Sequence, residues 1–470
     1  MLTRTEKDSV GEKEVPKDAY YGVQSLRAEE NFKITNLKIH PQLIKALAMV
    51  KKAAASANME IGLLNKKIGE AIIEAADEVI EGALYDQFIV DAVQGGAGTS
   101  INMNMNEVLA NRAIEILGGE KGDYNIVHPN NHVNMSQSTN DVVPTAIRLA
   151  VISLTHGALD ELNSLHEALS QKAEEFDDVL KMGRTQLQDA IPIRLGQEFA
   201  AYASAIERDI KRIRQNIDDL KVVNLGATAI GTGLNADPEY VEIVTNFLSD
   251  ITGLDFVQAD DLIDATQNVD PLVEVSSALK TCAVSLSKIS NDLRLMASGP
   301  RTGINEINLP AVQPGSSIMP GKVNPVIPEV VNQISFQIIG NDTTITMAAE
   351  AGQLELNVMM PVLVYNLFQS ITMLKNGVNT FTENAIKGIK ANKKRCRELV
   401  DNSVGVITAI NPHVGYEEAA RIAKKALETG RPVREIILEE GVLSEQELDR
   451  ILNPYEMTEP GIAGKELFDN

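Results

Sequence analysis

Two long apolar stripes constrain this chain more than anything else in it. Phe199, Ala203, Ile206, Ile210, Ile213, Ile217 and Leu220 alternate steps of four and three across 22 residues; Val275, Leu279, Cys282, Leu286, Ile289, Leu293 and Met296 repeat the alternation over another 22. A period of about 3.5 residues is the seam of long helices packed side by side at a shallow angle. At about 1.5 Å per residue each stripe runs about 33 Å, and only helices of similar length can cover it. A bundle follows. Aromatic residues make up only 4% of the chain and Trp is missing, which suits helix packing through aliphatic side chains. An isolated coiled coil fits less well, because each repeat stops after three heptads and the sequence between them is not charged filler.

The reading is therefore mainly α, in three parts: an N-terminal mixed, mostly helical domain over 1–140, a central long-helix bundle over 141–395, and a small C-terminal helical domain over 396–470. A length of 470 residues allows this. The first 35 or so residues, with Gly11, Pro16 and Gly22, read as an irregular arm. Helical patterning starts near Pro41 and runs with interruptions to about residue 90, and resumes from about Asn102 to Leu117. Gly118 to Asn140 reads as loops. Further helices are expected to begin near Pro144 and Pro328, the first capped by Asn140 or Asp141.

Charge and cysteine usage exclude several classes. The formal net charge is −22, so nucleic acid and anionic lipid are disfavoured as partners. Cys282 and Cys396 are the only cysteines, too few for a disulfide framework or a thiolate metal site. The six histidines show no metal-ligand spacing; His132 reads as a structural hydrogen-bonder. No apolar run reaches the roughly 20 residues of a membrane helix, and the first residues lack a signal core. A cytoplasmic location is expected.

Four polar loops interrupt the helices: Gly98–Asn102, Ser136–Asn140, Gly183–Asp189 and Gly315–Pro325. Each carries hydroxyls with Asn or Gln, and three adjoin an expected helix start. Hydroxyls beside helix N-terminal N–H groups make good carboxylate receptors, although each taken alone is more often an ordinary helix cap. The run Gly315-Ser316-Ser317-Ile318-Met319-Pro320-Gly321-Lys322-Val323-Asn324 holds two hydroxyls, an ammonium and a carboxamide between glycines. That composition suits a mobile loop closing over an anion. Gly226 to Gly233 has phosphate-loop glycine spacing, but Thr232 stands where the lysine must be; it reads as a tight loop approaching the site. No nucleophile elbow is present.

These loops together resemble the aspartase/fumarase superfamily. The ten residues from Gly315 match its signature without a departure. The match extends through Tyr20-Tyr21-Gly22, Gly95 to Asn106, His132 to Asn140, Gly183 to Phe199 and Asn411-Pro412-His413. The chain is most similar to bacterial members that eliminate ammonia from L-aspartate to give fumarate. The resemblance implies Ser316 as catalytic base. It implies Thr99, Ser138, Thr139 and Ser317 around the β-carboxylate, Lys322, Asn324 and Thr185 on the α-carboxylate, and Asn140 near the amino group. It also implies a homotetramer whose active sites draw loops from three subunits, working without an organic cofactor or a dedicated metal.

Gln186 stands where fumarases and some aspartases carry histidine, beside a fumarase glutamate matched here by Glu329. A carboxamide cannot shuttle a proton. Ammonia can leave as a neutral amine, whereas hydroxide needs an acid, so Gln186 favours the ammonia-lyase over the hydratase. The alternatives are a fumarase, a lyase for another succinyl-type substrate, or a structural protein on the same fold, like the lens crystallins related to argininosuccinate lyase. Met360 replaces a residue that is often charged in relatives, and the sequence offers no account of it.

Overall fold

In the computed structural model, residues 2–468 are described. The chain opens with an antiparallel hairpin, β1 (Thr3–Asp8) and β2 (Gly11–Pro16), followed by helices α1 (Val23–Asn31), α2 (Pro41–Glu60), α3 (Lys66–Ile80) and α4 (Thr99–Ile116). A π-helical turn at Pro129–Val133 leads into α5 (Thr139–Glu175), 37 residues long. A second antiparallel hairpin, β3 (Leu180–Thr185) and β4 (Gln188–Arg194), precedes α6 (Leu195–Asp218). Then come α7 (Pro238–Thr252), α8 (Leu262–Gln267), α9 (Asp270–Met296), α10 (Val326–Glu350) and α11 (Met360–Asn384). Helices α12 (Lys393–Asn402) and α13 (Ile407–Val414) open the C-terminal segment, continued by α14 (Tyr416–Thr429), α15 (Val433–Glu440) and α16 (Glu445–Ile451).

The structure is mainly α, and every residue of both apolar stripes is buried. The chain forms two compact units. The first contains residues up to Asp160, Lys211–Ala283 and Ser335–Lys375; the second contains Glu161–Ile210, Val284–Ile334 and Asn376 onward. Helices α5, α6, α9, α10 and α11 each contribute residues to both.

Several local expectations need correction. The N-terminal arm is not irregular: it contains a hairpin and α1. Helix α1 has no side-chain cap of its own. Instead Glu107, on α4, accepts the Gly22, Gln24 and Ser25 N–H groups at 2.8, 2.9 and 3.1 Å. A carboxylate at a helix N-terminus meets both the orphan donors and the dipole, and no local pattern reveals one supplied by another helix.

Helix α5 starts five residues before Pro144, so Asn140 and Asp141 lie in its first turn rather than before it. Ser138 is the cap: its Oγ accepts the Asn140 N–H at 3.2 Å, and Asp141 accepts the Ser138 N–H at 2.9 Å, so the hydroxyl and the carboxylate each meet a donor at the helix start. Pro144 has no N–H for the carbonyl of Asn140; Asn224 Nδ2 takes that place at 3.0 Å. Helix α5 is also long and apolar enough, by length and composition, to cross a membrane, contrary to expectation. Most of its apolar stretch is buried inside the structure, as in the core helix of a globular protein.

In the second unit, the C-terminal helices share a core with the β3 strand. Val400, Val406, Ile410, Ile422, Ile436, Ile437, Leu448 and Ile451 pack with Leu180 and Met182.

Candidate active site

In the first unit the N-terminal ends of α4 and α5 meet. Gly98, just before α4, lies so close to Val143 of α5 that a Cβ there would sit 2.9 Å from a valine methyl. Asn102, in the first turns of α4, donates to Thr139 Oγ1 at 3.3 Å and to Asn134 Oδ1 at 3.1 Å. Thr139 and the start of α4 are thereby brought together. Thr99 is exposed, and its hydroxyl donates to the Gly96 carbonyl at 2.7 Å. Ser138, Thr139 and Asn140 are all half-buried. This cluster gathers hydroxyls, carboxamides and two helix N-termini, the inventory of a carboxylate receptor.

Two buried charges stand behind it; Asp141 was expected only as a helix cap, and Lys51 was not singled out from the sequence. Lys51 on α2 is fully buried and donates to Asn134 Oδ1 at 2.8 Å and Gln137 Oε1 at 2.9 Å. Burial pushes its ammonium down to about 7, against the opposing pull of Asp141. Asp141, also fully buried, accepts N–H bonds from Ser138, Gly226 and Thr228. Burial pushes its carboxyl up to about 6 in spite of those donors. A signal for Lys51 exists in hindsight: Leu47, Ala48, Ala54 and Ala55, its neighbours on the helix face, are all apolar. His132 Nδ1 accepts the His128 N–H at 2.9 Å, a structural bond.

The second unit carries the other expected residues on two loops. Thr185 and Gln188 pair at the end of the β3–β4 hairpin, leaving Gln186 (φ 54°) and Leu187 (φ 59°) as the turn. Two successive left-handed residues are the geometry of a type I′ turn, normally given to Asn-Gly. Its placement of Thr185 and Gln186 at an exposed tip was therefore not legible. The hairpin base is fixed by buried charge: Arg184 reaches Glu306 Oε1 at 2.9 Å, and Lys181 lies 3.3 Å from Glu306 Oε2 and 2.8 Å from Glu198.

On the Gly315 loop, Ser316 Oγ accepts the N–H groups of Ile318 and Met319 at 3.2 and 3.0 Å. The loop is drawn together by Gly315 N–H to the Lys322 carbonyl at 2.7 Å and by Asn324 Nδ2 to the Gly315 carbonyl at 2.6 Å. Ser317 and Lys322 are exposed. The Lys322 side chain makes no hydrogen bond or ion pair among the described residues. Nor does any hydrogen bond join Thr185 or Gln186 to this loop among them.

An apolar cavity of about 500 Å³ in the first unit is lined by His40, Ile101, Val143, Met360, Val364 and Phe368, among others. Such walls do not suit a dicarboxylate. Met360, buried at the start of α11, is part of that lining. Among the described residues, no group of three or more His, Cys, Asp or Glu side chains could hold a metal ion.

Helix-borne hydroxyl loops and a Gly-Ser-Ser loop of this kind place the chain in the aspartase/fumarase superfamily. Its residues 11–340 match the lyase family, and residues 406–459 match the fumarase C C-terminus. The chain is 63% identical over 466 residues to the aspartate ammonia-lyase of Bacillus subtilis, covering 99% of this chain and 98% of that one. It is 52% identical over 469 residues to the aspartate ammonia-lyase of Escherichia coli, covering 99% and 98%. Among solved structures it superposes on fumarate lyase:delta crystallin from Brucella melitensis bound to cobalt with TM-score 0.96 at 50% identity, covering 98% of this chain and all of that one. A class II fumarase from Schistosoma mansoni follows the same fold with TM-score 0.93 at 36% identity, over 98% of this chain.

Proposed function

We propose that the protein is a carbon–nitrogen lyase that reversibly removes ammonia from L-aspartate to give fumarate, with Ser316 as base. Full-length likeness to aspartate ammonia-lyases supports the substrate. The observation that carries the chemistry is the pair of backbone N–H groups on Ser316 Oγ.

The proton to be removed lies beside the β-carboxylate and is very weakly acidic, because the carbanion forces a second negative charge onto an existing carboxylate. Each preorganised donor aimed at such charge is worth roughly 3–4 kcal/mol, so several must act together. Thr99, Ser138, Thr139 and Ser317 supply hydroxyls to that dianionic aci-carboxylate. Lys322, Asn324 and Thr185 hold the α-carboxylate, and Asn140 and Gln186 face the amino group. A serine hydroxyl is ordinarily too weak an acid to ionise. The Ile318 and Met319 N–H groups lower the cost of its oxyanion, and closure of the loop removes competing water.

From the resemblance to the superfamily, we further propose that homotetramer formation completes each site from three subunits. The exposed face of α10 in the first unit, with Phe336, Gly340, Thr343 and Met347, suits such self-association.

Fumarate absorbance at 240 nm tests the reading. Aspartate should give fumarate and malate should not, and Ser316→Ala should abolish turnover while leaving circular dichroism and assembly unchanged. Fumarate formed from malate alone would make the protein a hydratase. Mixing inactive Ser316→Ala and Ser138→Ala chains should restore partial activity if sites are shared; no recovery in mixed tetramers would remove that part.

A further inference from the structure

Met360 stands where relatives often carry a charged residue, and it forms part of an apolar wall. The cavity of about 500 Å³ in the first unit is bounded by residues of α2, α4, α5 and α11. Protein interiors leave few voids larger than a water molecule, whereas small-molecule sites run from roughly 300 to 1,000 Å³. Ile44, Ile101, Val143, Val364 and Phe368 of the lining are all buried hydrophobics. A guest gives up its water against such walls, so its body must be apolar.

Two polar groups of the lining have hydrogens to donate. His40 Nδ1 accepts the Gln42 N–H at 3.1 Å, which leaves the ring hydrogen on Nε2. Burial holds the imidazole below its ordinary range, so at neutral pH the ring is uncharged and Nε2 is a plain donor. Lys38 is exposed, and its Nζ donates to the Ile89 carbonyl at 2.6 Å. An ammonium has three hydrogens, and this one has no ion-pair partner among the described residues, in a chain of net charge −22. Both groups donate and one is cationic, so the polar end they fit is an anion. One carboxylate suits them. A second carboxylate on the same guest would be stranded against hydrocarbon, which sets this site apart from one for dicarboxylates.

We propose that the cavity is a second binding site, taking an amphipathic monocarboxylate whose alkyl tail fills the apolar space while its carboxylate meets Lys38 and His40. Met360 is what fits this chain for such a guest, because a charge at that position would face the tail. The site does not depend on the aspartate reading.

The test is calorimetric titration of the full-length wild-type protein at neutral pH with butanoate, hexanoate and octanoate. The expected result is one site per chain, with affinity rising about fourfold for each added methylene, the gain from burying a CH₂. Affinity that does not change with tail length would overturn the proposal. So would no binding of octanoate, the outcome if a side chain of a second copy already fills the space. Saturating succinate should leave the octanoate affinity within about twofold; displacement would put the acid in the substrate site and overturn the proposal without touching the functional reading.

Two variants supply independent arms. Met360→Glu, checked for folding by circular dichroism, should abolish the rise with tail length, since a buried carboxylate opposes an apolar guest. Lys38→Gln, at an exposed position, should weaken all three acids by about the same 2–5-fold and keep the gain per methylene. Wild-type octanoate affinity in folded Met360→Glu would remove the cavity as the site, and unchanged affinities in Lys38→Gln would overturn the choice of a carboxylate.

Discussion

Gly315→Ala tests whether the serine loop needs its present closure. A Cβ at residue 315 would sit 2.6 Å from the Lys322 carbonyl oxygen and 2.8 Å from the Asn324 N. Ordinary contact for carbon begins near 3.5 Å, so the two sides of the loop must separate by roughly 0.7–0.9 Å. Both neighbours are backbone atoms, so no rotamer change relieves the overlap. The same displacement stretches the Gly315–Lys322 bond of 2.7 Å and the Asn324–Gly315 bond of 2.6 Å. Lys322 and Asn324 are the proposed α-carboxylate anchors, and Ser316 lies between them and the hinge. A misplacement of about 1 Å costs about 10²-fold in rate, so kcat/KM for aspartate should fall about 50–200-fold. The loop is largely exposed, so thermal stability should change little. Steady-state kinetics at 240 nm alongside a melting curve reads both quantities. Near-normal kcat/KM with an unchanged melting temperature would refute the reasoning, because the loop would then tolerate a spread that the mechanism forbids.

Lys322→Ala should raise KM and lower kcat together, since a remote anchor also orients the reacting carbon; a change in KM alone would reduce Lys322 to uniform binding. Glu306→Gln leaves Lys181 and Arg184 facing a neutral group in a buried setting, at a cost of about 3–5 kcal/mol. For a chain of this length that is a fall of about 3–5 °C in Tm, and an unchanged Tm would show the network to be dispensable. Lys51 has a folded-state pKa below its unfolded value. The burial cost is thus fully present below about 7 and is relieved as pH rises toward the ordinary lysine range. Wild type should gain about 2 kcal/mol over Lys51→Met between pH 7 and 9; a difference independent of pH would mean that Lys51 does not titrate in the fold.

The long helices were legible because their stripes depend on period alone, and the seam from Phe199 to Leu220 reports that period directly. The Gly315 loop was legible because its side-chain inventory is itself unusual. What stayed hidden depends on partners distant in sequence. Helix α1 is capped by Glu107, some 80 residues away. The carbonyl released by Pro144 is met by Asn224, another distant residue. Gln186 and Leu187 form a turn usually signalled by Asn-Gly, and their neighbours rather than their own preference hold them there. Lys51 carries no pattern of its own that marks it as buried beyond the apolar neighbours on its helix face. Only the convergence of Asn134, Gln137 and Asp141 gives it a place in the site.

The shared packing of the C-terminal helices with Leu180 and Met182 gives the end of the chain an indirect hand in chemistry. Those two side chains are the underside of the ribbon whose tip presents Thr185 and Gln186. Trimming the protein after Lys390 would strip the floor from beneath that tip and leave two greasy residues facing water. The tail works as a foundation, and a shortened enzyme should lose its grip on the substrate before it loses its helices.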